Sequence, residues 1–351
     1  MKKLLSIVLS LAIAISFIPL SACVYGKSVQ KLEITMFDVG AGDSFYIEMP
    51  NGDDILIDGG LASYGQKIVN KLLKKEKNMS LEYVISTHPD ADHAGGLQTV
   101  FKKLKVKNFY YPKDTSYSKT KTAKNLMALA KKESGCKVLN AKPGTKISCG
   151  DGSYFKFIQS KTDYKSDNED SVMTYIKYKD LDVLLAGDAE KGAEYNGVAK
   201  IDMDIVTAPH HGSKNSSSSS YIKKFDPEAV WVSTDGHKYG HPTQAAFDRY
   251  KKYDKKIKVY RTDKKGDVTM TSNGKTKSYN CTGTLITKTK GNVSSSSSKT
   301  STSTKTSSKY VYVSKSNTYH AKSNCSGMKT STRMTLAEAK SKGAKPCSKC
   351  Y

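Results

Sequence analysis

The sequence is short of acidic residues, and after residue 20 it lacks any long hydrophobic run. Its 351 residues contain 33 Asp and Glu against 57 Lys and Arg, which leaves a formal net charge of +24. Without further hydrophobic segments, the chain cannot form a channel that crosses a membrane several times. The positive charge raises the local concentration of anionic partners, although lysines that only keep an exported protein soluble would give the same composition.

Hydrophobic residues are also scarce, at 37% of the chain against about 45 to 50% in ordinary globular domains. The deficit is concentrated in residues 284–308, where "SSSSSKTSTSTKTSS" is too polar to bury a core and predicts a flexible linker. The sequence has no internal repeat. We therefore expect one large domain over residues 30–283, this linker, and a small module over residues 309–351.

The amino terminus predicts export. Residues 1–22 combine a basic start, an apolar run and a small-residue end, the features of a signal peptide. The segment "LSAC" resembles the lipobox of bacterial lipoproteins, which implies cleavage before Cys23 and attachment of lipid to its sulfur. We expect the chain at the extracellular face of a bacterial membrane, or secreted if the signal is an ordinary one.

Strand-like and helix-like segments alternate in the large region, which indicates an α/β fold. Amphipathic spacing predicts helices over residues 66–75, 121–132 and 244–252. Residues 171–189 predict two antiparallel strands joined at a "KDLD" turn, so mixed sheets with helices outside are expected. Several strand-like segments carry Asp, His or Gly at or near the end: "KLEITMFDV", "DDILIDGG", "LEYVISTH", "DVLLAGDAE" and "MDIVTAPHH".

One of these strand ends carries a dense group of metal ligands. In "STHPDADHAGG", residues 86–96, four ligand-type side chains fall within six positions, followed by paired glycines that suit a tight turn. They are His88, Asp90, Asp92 and His93. Other strand ends add Asp58, Asp188, His210 and His211. The joint occurrence of these residues predicts a metal centre.

This set of motifs resembles the metallo-β-lactamase superfamily, and within it the soluble hydrolase domain of ComEC-type competence proteins. The resemblance covers residues 32–280 and implies a four-layer αββα sandwich, with the metal centre at one edge of its two sheets. The motifs, in chain order, are "DVGAGDS" (38–44), "LIDGG" (56–60), "THPDADHAGG" (87–96), "LLAGDAE" (184–190), "APHHGS" (208–213) and "YGHP" (239–242).

The resemblance also assigns roles to the ligands. His88 and Asp90 would hold one metal ion, while Asp92 and His93 would hold a second together with His210 or His211. Asp188 would bridge the two ions. Asp58 would orient the metal loop through hydrogen bonds. We expect four further residues to surround the ligands: Asp38 and Asp43 of the first motif, and Asn168 and Ser171 between the third and fourth.

Two departures from the superfamily pattern concern the metal itself. Asp90 stands where most members have histidine, a change that the ComEC-like branch shares. The histidine of the third motif is absent, and "DNEDS" (167–171) stands there instead. Oxygen ligands in place of imidazoles make Mn²⁺ or Mg²⁺ plausible beside Zn²⁺. We expect one or two divalent ions, Zn²⁺ or Mn²⁺.

The predicted reaction is hydrolysis by metal-activated water, with Asp90 or Asp188 accepting the proton. His241 and Lys214 are candidates for contacting the oxyanion or leaving group, against readings as a turn histidine and a solvated lysine. The resemblance to a domain associated with DNA degradation, and the net charge, favour a phosphodiesterase or nuclease acting on DNA or another polyanion as a monomer. The alternatives are hydrolysis of another ester or amide, and a non-catalytic surface protein that binds DNA or wall polymer.

The small module carries its own ligand pattern. His320, Cys325, Cys347 and Cys350 suit a structural Zn²⁺ that would stabilise about forty residues with little core. The module resembles small Ada-like metal-binding modules, and disulfides are the alternative outside the cell. In the large region Cys136 and Cys149 could pair, which would leave Cys281 free.

Overall fold

The computed structural model describes residues 31–75, 79–112, 117–158, 166–194, 200–285, 310–320, 325 and 330–347. The described residues up to Leu285 form one compact unit, and those from Tyr310 onward form another. The predicted signal peptide with Cys23, most of the predicted linker and Cys350 lie outside these ranges. Within them, none of the helices combines the length and the apolar character needed to cross a bilayer.

The first unit is built on two eight-stranded sheets. Their strand orders are β15-β14-β1-β2-β3-β4-β5-β6 and β16-β13-β12-β11-β10-β9-β8-β7. The strands in chain order are β1 (Leu32–Met36), β2 (Phe45–Glu48), β3 (Asp54–Ile57), β4 (Ser80–Ile85), β5 (Lys105–Tyr111), β6 (Lys137–Asn140), β7 (Lys146–Ser148), β8 (Tyr154–Phe157), β9 (Thr174–Tyr178), β10 (Leu181–Leu185), β11 (Ile205–Thr207), β12 (Ala229–Val232), β13 (Lys258–Arg261), β14 (Val268–Ser272), β15 (Lys277–Tyr279) and β16 (Thr284–Leu285).

The longer helices cover the outer faces of the sheets, and the four-residue helices lie in loops that follow strands. They are α1 (Gly65–Lys75), α2 (Ala91–Ala94), α3 (Leu97–Lys103), α4 (Lys121–Lys132), α5 (Pro209–Gly212), α6 (Ser219–Phe225), α7 (Gln244–Tyr253) and α8 (Thr262–Lys265), with single 3₁₀ turns at Ala62–Tyr64, Tyr117–Lys119 and Lys238–Gly240. The helix predicted over 121–132 has those bounds, and the other two differ by one residue at one end. The predicted antiparallel pair around "KDLD" is confirmed as β9 and β10.

The hydrophobic core forms three layers, which confirms the predicted four-layer αββα sandwich. Ile34, Ile47 and Trp231 belong to the layer between the two sheets. A second layer packs the first sheet against α1, α3 and α4, and a third packs the second sheet against α6 and α7. Because both faces of each sheet are covered, β3 and β12 are buried at every residue rather than at alternate ones.

Strand direction decides which loops meet. β1 is antiparallel to β2, which is antiparallel to β3, so β1 runs the same way as the parallel strands β3 to β6. In the second sheet β10 to β13 are also parallel. We call the end where β3, β4, β10 and β11 finish the site end, because the predicted ligands follow there. The opposite end, where β1, β4, β5 and β6 begin, is the basal end.

Two sequence expectations differ from the structure. Thr284 and Leu285, the first two residues of the predicted linker, form β16 and pair with β13. Cys136 and Cys149 are free thiols in different core layers, so the suggested disulfide does not form. Burial raises the pKa of Cys136 to about 11 and that of Cys149 to about 12, so both thiols stay protonated at neutral pH.

The second unit is a four-stranded sheet with one helix. Its strand order is β19-β17-β18-β20. Val311, Tyr319, Ala339 and Ala344 form its small core. The elements are β17 (Tyr310–Ser314), β18 (Thr318–His320), β19 (Ser331–Thr335), α9 (Leu336–Ser341) and β20 (Lys345–Pro346).

Two glycines let the loops of the site end approach each other closely. A Cβ atom on Gly96 would lie 1.9 Å from the carbonyl oxygen of Gly59. The Gly59 N–H donates to the His93 carbonyl at 2.7 Å, and the Gly96 N–H donates to the Gly60 carbonyl at 2.9 Å. The loop after β3 therefore lies backbone to backbone against the junction of α2 and α3, where no side chain fits.

Gly96→Ala should consequently destabilise the protein, although alanine favours helical backbone. Gly96 has φ −71° and ψ −23°, so the loss would come from the steric clash alone. We expect the free energy of unfolding in urea to fall by about 1 to 3 kcal/mol, the usual cost of overpacking. Gly135→Asn is the control, because nothing lies within 4 Å of that Cβ position and asparagine tolerates its φ of +82°. Equal stability of the two variants would contradict the close-approach argument.

Candidate metal centre

Four buried side chains converge at the site end. Asp43, His93, Asp188 and His211 each offer one ligand atom, and these atoms lie within 4.8 Å of one another. Asp43 lies between β1 and β2, His93 lies in α2, and Asp188 and His211 follow β10 and β11. Both sheets therefore contribute to the cluster through loops that leave their strands at the same end.

The Asp58 carboxylate holds His93 in place. It accepts hydrogen bonds from the Thr87 N–H at 2.8 Å and the Thr87 hydroxyl at 2.6 Å, and His93 Nδ1–H donates to it at 2.9 Å. Asp58 is fully buried. Because Nδ1 carries the proton in this pair, Nε2 of His93 is left to bind a cation. This contact is the orienting role that the resemblance implied for Asp58.

His211 is oriented in the same way from the other sheet. Its Nδ1–H donates to the Ser233 carbonyl oxygen at 3.0 Å. Its Nε2 then lies 3.3 Å from Nε2 of His93 and 3.6 Å from Oδ1 of Asp188. Two imidazole nitrogens without protons would repel each other at this distance, whereas a divalent cation would join them.

His88 and His210 lie on the other side of Asp188. Oδ2 of Asp188 lies 3.9 Å from Nε2 of His88 and 3.7 Å from Nε2 of His210, while its Oδ1 lies 3.2 Å from Nε2 of His93. Asp90 Oδ2 lies 3.8 Å from Nε2 of His88. Each carboxylate oxygen of Asp188 thus faces its own pair of imidazoles. This arrangement fits two ions with Asp188 between them.

The two adjacent histidines reach opposite sides through an unusual backbone. His210 has φ 53° and His211 has φ 54°, both in the left-handed region that side chains other than glycine's rarely adopt. His211 turns towards His93, and His210 places Nδ1 3.1 Å from Oε1 of Glu190. The sequence analysis left open which histidine joins the second ion, and the structure groups His211 rather than His210 with His93.

The site suits a cation chemically as well as geometrically. Nε2 of His88 and Oδ1 of Asp188 are buried, and neither has a hydrogen-bond partner among the described residues. A buried polar atom without a partner costs free energy, and imidazole nitrogens with carboxylate oxygens are ordinary ligands of Zn²⁺ and Mn²⁺. The residues present therefore fit the expected divalent ions.

The charges around Asp188 shift the pKa of its neighbours. Burial alone would raise the pKa of Asp188, but His93 and His211 hold it well below its usual range. Burial would lower the pKa of His93 and His211, yet Asp188 raises the first well above its usual range and the second to about 9. Burial and the charge of His93 lower the pKa of His88. A cation bound at these nitrogens would displace protons.

The remaining predicted ligands take different positions. Asp92 lies outside the four-residue cluster, because its neighbour His93 is the residue of α2 that points inward. Asp43, expected only to surround the ligands, is a member, with Oδ1 3.4 Å from Nδ1 of His211. Asp90 has a side chain 45% exposed and lies beside His88.

Some of the other expected residues lie near the metal-binding cluster, and others lie away from it. Ser171 accepts a hydrogen bond from the Asp188 N–H at 3.1 Å, and Asn168 Nδ2 lies 3.5 Å from His210 Nδ1. His241 packs its ring edge-on against His210 at 5.1 Å, and burial with the charge of His210 lowers its pKa to about 4. Asp38 lies away from the cluster, where it accepts from the Gly40 N–H and pairs with Lys67. Lys214 is exposed.

Three contacts were missed by the sequence analysis. Glu190 pairs with His210, Thr87 links Asp58 to His88, and Ser233 orients His211. Glu190 and Thr87 belong to the motifs "LLAGDAE" and "THPDADHAGG" and could have been singled out there. Ser233 follows β12 and acts through its backbone oxygen, for which a sequence gives no signal.

A second group of ligand atoms lies in the other unit. His320, Cys325 and Cys347 each offer an atom within 4.8 Å of the others. The Sγ atoms of Cys325 and Cys347 are 3.8 Å apart, far beyond the length of a disulfide. Three of the four predicted ligands of this module are therefore brought together, and the fourth, Cys350, lies outside the described residues.

Asp58→Asn should weaken metal binding without removing a ligand. The amide nitrogen would face Nδ1 of His93, which favours the tautomer with a proton on Nε2 and blocks that ligand. We expect the metal affinity of the first unit to fall by about 10- to 100-fold, measured by competition with a chromogenic chelator. Asp38→Asn is the matched control and should keep its affinity. An unchanged affinity in Asp58→Asn, with circular dichroism showing an intact fold, would contradict the orienting role.

Comparisons with known proteins agree with this site. The chain matches the metallo-beta-lactamase superfamily over residues 37–237. It is 29% identical over 256 residues to ComE operon protein 3 of Bacillus subtilis (strain 168), which covers 67% of this chain and 32% of that protein. It is 26% identical over 239 residues to competence protein ComA of Neisseria gonorrhoeae, covering 66% and 31%. The chain thus spans about a third of the length of these curated relatives.

Solved structures give a coarser likeness. The metallo-beta-lactamase fold protein YhfI from Bacillus subtilis has a TM-score of 0.43 and 13% identity, covering 69% of this chain and all of that one. CmlA, a diiron beta-hydroxylase from Streptomyces venezuelae, has a TM-score of 0.38 and 15% identity, covering 62% and 46%. The superfamily match extends over more than half of the chain and contains the loops that carry His88, His93, Asp188 and His211. The protein therefore belongs to the metallo-β-lactamase superfamily and has its metal-dependent hydrolase fold.

Proposed function

We propose that the protein is an exported hydrolase that cleaves phosphodiester bonds in DNA or another polyanion. The observation that supports the chemistry is the position of Asp188 between two pairs of imidazoles. The observation that supports the substrate class is the similarity to competence protein ComA and to ComE operon protein 3. The net charge of +24 suits a substrate rich in phosphates.

Two groups of side chains would each bind one metal ion. His88, Asp90 and His210 would hold one ion, His93 and His211 the other, and Asp188 both, while Asp43 faces the Nδ1 side of His211; Zn²⁺ and Mn²⁺ suit these ligands. When bound, such ions supply hydroxide at neutral pH and stabilise negative charge on the attacked group. Asp58, Thr87 and Ser233 keep the imidazoles in the required tautomers.

Proton transfer and substrate contact fall to residues nearer to solvent. Asp90 is better placed than Asp188 to accept a proton from an attacking water, because its side chain is 45% exposed while that of Asp188 is 5% exposed and enclosed by imidazoles. His241 has a buried Nδ1 without a partner among the described residues, close to His210, from where it can contact an oxyanion or leaving group. Lys214 can contribute only long-range attraction for phosphates from its exposed position.

Export and anchoring follow from the amino-terminal sequence. The signal-like residues 1–22 and the lipobox-like "LSAC" support cleavage before Cys23 and attachment of lipid there. The catalytic unit would then work as a monomer at the outer face of a bacterial membrane. In this location it could meet DNA outside the cell or anionic polymers of the wall.

The second unit is proposed to hold one structural Zn²⁺. In a tetrahedral site with Zn–S bonds of about 2.3 Å, two thiolates stand about 3.8 Å apart, and the Sγ atoms of Cys325 and Cys347 are 3.8 Å apart. His320 and the sequence neighbour Cys350 would complete four ligands. The small hydrophobic core of this unit makes such an ion important for its folding.

Turnover provides the test of the catalytic proposal. The chain from residue 24, loaded with Mn²⁺ or Zn²⁺, should hydrolyse linear DNA and bis(p-nitrophenyl) phosphate. Asp188→Asn should reduce the rate by at least about 10³-fold, because it removes charge from the ligand shared by both ions. Asp38→Asn should leave it unchanged. Binding of DNA without turnover would favour a non-catalytic surface protein, and hydrolysis of carboxylic esters alone would favour another substrate class.

Metal content provides the test of the second unit. Cys347→Ser should remove one Zn²⁺ per chain, measured by plasma mass spectrometry, while phosphodiester turnover by the first unit stays within about twofold. Cys281→Ser is the matched control, since Cys281 is a free thiol of the first unit. Mass spectrometry without reductant that finds Cys325 or Cys347 in a disulfide would instead rule out the zinc site.

A further inference from the structure

Exposed lysines are concentrated at one edge of the basal end. They occupy the last turns of α1, α3 and α4 and the first residues of β5 and β6. All are exposed, and none has a carboxylate within 4.0 Å among the described residues. We call this set the basal lysine face: Lys74, Lys102, Lys103, Lys105, Lys131, Lys132 and Lys137.

Acidic groups at the basal end offset part of this charge. Glu33 is engaged by Lys75, and Glu82 is engaged by Lys107. Glu133, directly after α4, lies among the lysines, and Glu48, Asp53 and Asp54 lie at the turn between β2 and β3 at the same end of the unit. Lysines at helix ends are common because they interact favourably with the helix dipole, but this does not account for Lys105 and Lys137, which begin strands. The seven exposed lysines therefore give this edge of the basal end a local excess of positive charge.

Apolar side chains lie exposed among these lysines. Leu73, in the last turn of α1, is 40% exposed, and Met79, directly before β4, is 50% exposed. Met79 also lines a shallow cavity of about 450 Å³ together with Phe101, Leu104, Glu133 and the lysines at 102, 103 and 105. Large aliphatic side chains surrounded by lysines are typical of surfaces that bind membranes, since the charges meet anionic head groups and the apolar groups enter the interface.

The chain also enters the domain at this end. β1 runs parallel to β3 through two antiparallel steps, so Leu32 begins β1 at the end where β4, β5 and β6 begin. Cys23 precedes Lys31 by eight residues, which can span at most about 29 Å when fully extended. A lipid on Cys23 would therefore keep the basal end of the domain close to the bilayer.

We propose that the basal lysine face docks on an anionic lipid bilayer and so directs the metal centre away from the membrane. The proposal rests on the lipid anchor described above for its orientation, but the face itself is independent of the anchor. Lysine charge alone would also suit DNA. Exposed Leu73 and Met79 favour lipid, because a nucleic-acid backbone offers aliphatic side chains nothing to bury in.

The test measures vesicle binding by the chain from residue 24, which keeps both units and lacks Cys23. It should co-sediment with vesicles of phosphatidylglycerol and phosphatidylcholine, and much less with pure phosphatidylcholine. Replacing four lysines of the face by glutamine, at 102, 103, 131 and 132, should weaken binding by at least about 10²-fold. Leu73→Gln with Met79→Gln should weaken the binding that persists at high salt.

The control variant removes the same charge from the site end. Lys119, Lys121, Lys191 and Lys265 are exposed there, and their replacement by glutamine should change vesicle binding less than about threefold. An equal loss in both variants, or no loss in the first, would overturn the proposal. The proposal would also be overturned if the variant with glutamine at 102, 103, 131 and 132 lost affinity for a short DNA duplex but kept its affinity for vesicles. Turnover is not measured, so a failed nuclease assay or an unlipidated Cys23 leaves the result interpretable.

Discussion

The carboxylate of Asp58 is the contact on which the metal centre depends. It joins the end of β3 to the end of β4 through Thr87 and to α2 through His93, so three segments that are separate in the sequence share one buried anion. The buried carboxylate is stabilised because it accepts three hydrogen bonds, two from Thr87 and one from His93. The glycines at 59 and 96 make the contact possible, since they allow the two loops to approach within backbone distance. With His93 held in this position, Asp188 and His211 contact it from loops of the second sheet.

The motifs predicted the fold well because those that carry ligands lie directly after the ends of strands. Each ligand-bearing loop follows a short apolar strand, and parallel strands of one sheet deliver their loops to the same edge, so His88, Asp188 and His211 could be grouped from the sequence. The backbone of His210 and His211 could not be predicted in this way. Two consecutive left-handed residues decide which imidazole faces which ion, and their conformation is imposed by tertiary contacts, such as the hydrogen bond from the His210 N–H to the Gly187 carbonyl.

The grouping of Asp43 with His93, at a place where the sequence favoured Asp92, has a similar cause. Ligand spacing in "THPDADHAGG" favours Asp92, because residues so close to His93 in sequence usually share its environment. Within a helix, however, neighbouring residues point in directions about 100° apart, and α2 turns His93 inward. Asp43 lies in the loop between β1 and β2, and its backbone carbonyl oxygen accepts a hydrogen bond from the Gly60 N–H. A contact between segments fifteen residues apart or more leaves little trace in one sequence.

The left-handed backbone of His210 and His211 lowers the stability of the fold at the position where the two imidazoles are placed. Each such residue raises the energy of the folded chain by about 1 to 2 kcal/mol, a cost that glycine would avoid. A chain selected only for resistance to unfolding would therefore carry glycines here and would lose both imidazoles. The loop therefore keeps a strained backbone at the two positions where both imidazoles reach Asp188.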